Sequence, residues 1–113
     1  MDTLQLIEAI EARPGMYVDP DSAVSIYFFV QGFLFCRSVH GLRNDQDDVL
    51  ADGFYGWLRD THGLEAAATW GDLLSVLAAL EQARPIDVFK REFGRFRNAC
   101  RSQSRIDDEE EDQ

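Results

Sequence analysis

Arg13-Pro14-Gly15-Met16-Tyr17 lies between two apolar segments of helical period and constrains the fold more than any other stretch of the chain. Pro14 has no amide proton and cannot continue a helix, so the first helix must stop at Arg13. Gly15 is expected to take a positive φ, with Met16 and Tyr17 following as anchors. The turn contains no reactive atom, and no other stretch supplies a catalytic constellation. The sequence therefore points to binding rather than chemistry.

Around that turn the apolar residues recur with helical spacing. Asp2 or Thr3 can cap a first helix carrying Leu4, Ile7 and Ile10 on one stripe. Asp19-Pro20-Asp21-Ser22 opens a second helix, from Ser22 to His40, which Gly41 ends. Its apolar residues fall on two lines, Val24-Phe28-Phe35-Val39 and Ile26-Val30-Phe33. That breadth predicts a central helix, with only the line of Tyr27, Gln31, Leu34 and Ser38 turned outward. Residues 41–47 read as a loop. A third helix is predicted from Asp47 to Thr61 with Leu50, Phe54, Trp57 and Leu58 inward. A fourth opens at Thr69-x-x-Asp72, and a fifth at Pro85 with Ile86, Phe89, Phe93 and Phe96 on one stripe. No segment alternates with period two, so the predicted class is all-α. The expected architecture is a compact single-domain bundle of about five helices around a buried aromatic second helix. It spans residues 1–101, and the acid-rich residues 102–113 are expected to be a disordered tail.

Charge is segregated along the chain. The total is −10, but residues 84–106 carry a net +5 and Asp107 to Asp112 are six acids in a row. An acidic main body favours a basic protein partner and argues against nucleic acid as the principal ligand. Lys90, Arg91, Arg95, Arg97, Arg101 and Arg105 point several ways around the last helix, so neutralising contacts with the acidic body are expected of them rather than a nucleic-acid face. The stretch from Ala23 to Val39 is too short and too polar for a membrane span, and no basic segment precedes it as in a signal peptide. Cys36 and Cys100 lie apart, each beside aromatics, and are expected to be reduced packing residues in a cytoplasmic protein. No phosphate-binding or dinucleotide motif and no metal-ligand spacing occurs, so no cofactor, metal or catalytic residue is assigned. His40 and His62 each precede a glycine at a predicted helix end, where a cation suits the dipole.

The candidate binding surface is the third helix and the loop before it. Asp48, Asp52, Tyr55 and Arg59 fall on one predicted outward line, with Asp45 and Asp47 just ahead. Carboxylates flanking an outward tyrosine suit Arg and Lys on a basic protein.

Two resemblances meet at the Arg13–Tyr17 turn. The ATP-hydrolysing component of DNA gyrase and its ATPase relatives also carry Arg-Pro-Gly-Met-Tyr, but Tyr27 to Arg37 offers neither the carboxylate nor the Asn that their nucleotide site requires. The second resemblance covers most of the chain. A short helix, the Arg13–Tyr17 turn, a long aromatic helix with Gly32-Phe33, Phe54-x-x-Trp57-Leu58, Thr69-Trp70 and a closing segment with Phe89, Phe93 and Phe96 together resemble a family of small bacterial immunity proteins, partners of secreted polymorphic toxins. That resemblance implies a non-enzymatic protein that neutralises a cognate toxin by occluding its active site or substrate cleft. The Arg-rich last helix and acidic tail depart from the pattern. The alternative is a non-enzymatic adaptor or regulatory interaction domain.

Overall fold

The computed structural model describes residues 2–64 and 69–111, with the side chains of Ala51 and residues 103–111 left aside. Among the described residues there are six α-helices and no strand: α1 (Thr3–Ala12), α2 (Ala23–Val39), α3 (Asp45–Asp48), α4 (Phe54–His62), α5 (Trp70–Glu81) and α6 (Pro85–Glu111). The all-α expectation holds. The predicted third helix is built in two parts, α3 and α4, joined by a turn of π-helix over Val49–Gly53.

Local chemistry explains most of the boundaries. The Asp2 carboxylate accepts from the Gln5 amide at 2.8 Å while the Gln5 side chain accepts from the Asp2 amide at 2.8 Å, so two otherwise orphaned donors of α1 are satisfied. Pro14 stops the helix, and Pro14–Met16 winds into a single 3₁₀ turn closed by Tyr17 N–H on the Pro14 carbonyl at 2.9 Å. Gly15 does not take the positive φ expected of it, because the 3₁₀ turn reverses the chain within ordinary right-handed space. A Cβ there would meet open space. Nor do Met16 and Tyr17 anchor the turn in the core; both are exposed, and Val18 is the residue that enters it.

The Ser22 side chain caps α2 by accepting from the Ser25 amide at 3.1 Å, and Gly41, at φ 71°, ends the helix by letting Leu42 N–H return to the Arg37 carbonyl at 2.8 Å. Thr69 caps α5 in the same manner through the Asp72 amide. At the start of α5, Gly71 passes so close to α2 that a Cβ would lie 2.6 Å from the Tyr27 Cβ. Pro85 opens α6, whose second residue donates from its amide to the Pro20 carbonyl at 3.1 Å and so ties the last helix to the start of α2.

The aromatic cluster of the core is organised around Phe54. Its ring centroid lies 5.3–6.4 Å from those of Trp57, Trp70, Phe89, Phe93 and Phe96, and Trp70 stacks on Phe89 at 5.8 Å. Each fully buried side chain of this kind contributes roughly 1.5–3 kcal/mol over its exposed state. The second helix is oriented differently from the expectation. Ile26, Val30 and Leu34 face the core, while Val24, Phe28, Phe35 and Val39 face outward. The expectation places Leu34 outside and those four inside; because α2 is apolar on nearly every side, its period does not choose the inward arc. The backbone of α6 stays helical to Glu111, past the Arg101 boundary expected to end the ordered domain; the side chains of the acidic run lie outside the described residues.

Candidate functional site

Asn44 opens α3, its side chain accepting from the Asp47 amide at 3.1 Å, and three acids follow in the first turn, where the helix dipole favours negative charge. Two of them point out. Asp45 is exposed, and exposed Asp48 accepts from Arg43 Nε at 2.6 Å, so part of its charge is already answered within the chain. Asp47 turns the other way. It is fully buried, accepts from Arg37 Nε at 2.8 Å, and receives the Thr3 hydroxyl. Arg37 also donates to the Leu42 carbonyl at 2.8 Å. Burial pushes the Asp47 carboxyl upward, but the hydrogen bonds from Arg37 and Thr3 and the Arg37 charge outweigh it and hold the group below its ordinary value. Asp47 is thus part of a structural ion pair joining α1, α2 and α3 and, being fully buried, does not reach a partner as expected of it.

The π turn over Val49–Gly53 leaves Phe54 and Leu58 on the inward side. A turn closed five residues on holds one residue more than an α turn. Asp52 remains exposed within the turn, and Arg59 is exposed on α4. Tyr55, expected on the same outward line, lies at the edge of the inward arc of Phe54 and Leu58 and packs half-buried against the core. Of the predicted surface, Asp45, Asp48, Asp52 and Arg59 stay available, and Tyr55 is not a free-standing aromatic anchor.

A groove of about 340 Å³ opens beside Asp45, between α1, α3 with its π turn, and α6. Leu4, Ile7, Val49 and Phe96 make it largely apolar, with Asp45 and Arg97 also in its wall. Cys100 lines it too, and burial pushes that thiol's pKa up, so it stays protonated at neutral pH and is a poor nucleophile. The sequence offers no signal for this groove, because it forms only where three elements distant in the chain converge. Comparison with protein-family models, curated proteins and solved structures gives no match.

A second buried charge, Glu92 on α6, is also not singled out by the sequence. Its Oε1 accepts from Arg91 Nη2 at 3.0 Å and from Arg95 Nη1 at 3.4 Å, and Arg91 reaches Glu81 at 2.7 Å. His62, the last residue of α4, places Nε2 2.9 Å from the same oxygen without the alignment of a hydrogen bond. Part of the Arg-rich helix is therefore neutralised by Glu81 and Glu92, in line with its charge pattern. Among the described residues, no group of three or more His, Cys, Asp or Glu side chains could hold a metal ion, and no helix is long and apolar enough to cross a membrane.

The outward face of α2 is the remaining surface of note. Phe28 and Phe35 are 66% and 71% exposed and Val39 is 64% exposed, with Val24, Phe29 and Cys36 alongside. These apolar groups form a continuous exposed patch on one face of α2.

Proposed function

We propose that this chain is a non-enzymatic protein-binding domain whose partner is basic, and that its biological role is that of an immunity protein neutralising a toxin. The observation that carries the reading is the apolar groove with exposed Asp45 at its wall and Asp48 and Asp52 on the same stretch of chain. An apolar pocket offers a place for an anchoring side chain, and nearby carboxylates steer a basic partner and compete with phosphate for its cleft. The resemblance to immunity proteins supplies the toxin in this proposal; the groove and the carboxylates support the binding.

The experiment is to isolate the partner bound to the full chain in its native cells and measure its association with two sets of variants. Combined Asp45→Asn, Asp48→Asn and Asp52→Asn is expected to slow association roughly tenfold at low salt and flatten its salt dependence. Val49→Trp, which fills the groove, is expected to raise the dissociation rate instead. Wild-type kinetics from both sets would refute the reading. A partner that binds through the groove but is not toxic on expression alone would leave the adaptor role in place of immunity.

A further inference from the structure

The outward face of α2 is not explained by a basic partner. Arg37 is the helix's one charged residue, and it is buried against Asp47. The face itself presents Val24, Phe28, Phe29, Gly32, Phe35, Cys36 and Val39, with no formal charge, on a chain whose net charge is −10. Steering by the acidic stretch therefore acts elsewhere on the molecule.

We propose that this face is where two copies of the chain meet, their α2 helices crossing antiparallel at Gly32. Three observations lead there. The first is electrostatic: two acidic bodies can touch without like charges in contact through a neutral surface, and α2 provides one. The second is shape. Gly32 lies near the middle of the seventeen-residue helix, exposed, with nothing within 4 Å of a Cβ built on it. A two-fold axis through it sets Phe28 of each copy opposite Cys36 of the other, bulky against small, and Phe29 opposite Phe35. The third is area. Tyr17 packs edge-on against Phe29 at 6.0 Å, so it extends the patch beyond α2. From their fractional exposures the apolar residues of this surface present roughly 700 Å² per copy, against about 800 Å² per partner in a standard stable interface.

Sedimentation equilibrium of the full chain tests this. The expected mass is twice 12.9 kDa at concentrations of about 100 μM, with a dissociation constant that falls as salt rises, because salt screens the repulsion between two acidic bodies. A basic partner would show the opposite dependence. Phe28→Asp and Phe35→Asp are each expected to weaken the dimer by about a hundredfold while leaving the circular dichroism of the monomer unchanged. In a Cys100→Ser background, Phe28→Cys is expected to form an intermolecular disulfide with Cys36 under mild oxidation, and Cys36 alone is not. A wild-type chain that stays monomeric at both low and high salt would overturn the proposal, as would a dimer that survives both aspartate variants. Cross-linking through Cys36 alone would overturn the antiparallel crossing. The inference is independent of the groove, since Val49→Trp is expected to leave the dimer intact.

Discussion

Asp47 is fully buried and Phe35 is 71% exposed, an inversion of the usual placement of charge and hydrocarbon within one small bundle. The two regions differ in where their partners are. Asp47 finds Arg37, Thr3 and Asn44 inside the chain, so the cost of removing a carboxylate from water is answered by hydrogen bonds and an opposite charge. Phe35 and Val39 on α2 stay mostly exposed, with no comparable burial within the fold. Residue type alone does not decide burial; the availability of a matching surface does.

The sharpest way to break this comparison is Asp47→Ala, which leaves Arg37 buried beside a cavity. The expected loss is about 3–5 kcal/mol of unfolding free energy, read from urea denaturation, because an uncompensated buried charge is far costlier than a missing pair. A loss below about 1 kcal/mol would place the Arg37 guanidinium effectively in water. Acid should expose the same pair more gently. The Asp47 carboxyl titrates below its ordinary 3.8 in the folded state, so its stabilisation is complete above that value and disappears as pH falls through the lower, folded value. Stability of the wild type should drop over this acid range, and that segment of the profile should be missing from Asp47→Asn. The smallest effect is expected on the other side of the comparison. Phe35→Ser should change the stability of the monomer by less than about 0.5 kcal/mol, since it removes little that the fold buries. A larger loss measured on monomer would mean that α2 carries its outward phenylalanines for internal packing.

Much of the fold is legible in the sequence because its signals are local. Pro14 stops α1, Ser22 and Thr69 cap α2 and α5, Gly41 ends α2 and Pro85 opens α6, each through chemistry confined to a few neighbours. The candidate site is legible only in part, because the deciding interactions cross the chain. Nothing within Asp45-Gln46-Asp47-Asp48 marks the third residue as the buried one; the choice depends on Arg37 ten positions earlier and Thr3 forty-four earlier. The misplacement of Tyr55 has a different cause: it sits at the border of the inward arc, where the period alone does not say whether a large side chain folds back onto the core. For α2 the period is intact but uninformative, since a helix apolar on all sides satisfies several inward directions equally. Gly15 teaches the converse: a Pro-Gly pair signals a reversal of the chain without dictating which kind of turn makes it.

The π turn over Val49–Gly53 also has a consequence for how this chain can vary by insertion and deletion. It holds one residue more than a regular turn while α3 and α4 continue on either side of it. Losing one residue there would convert the turn to ordinary α-helix and keep both flanking faces aimed as they are. The same loss inside α5 would swing Trp70 or Leu77 away from the core by a quarter turn or more. The segment is thus a slack link in the reading frame of the fold, where chain length can change by one without re-aiming the helices it joins.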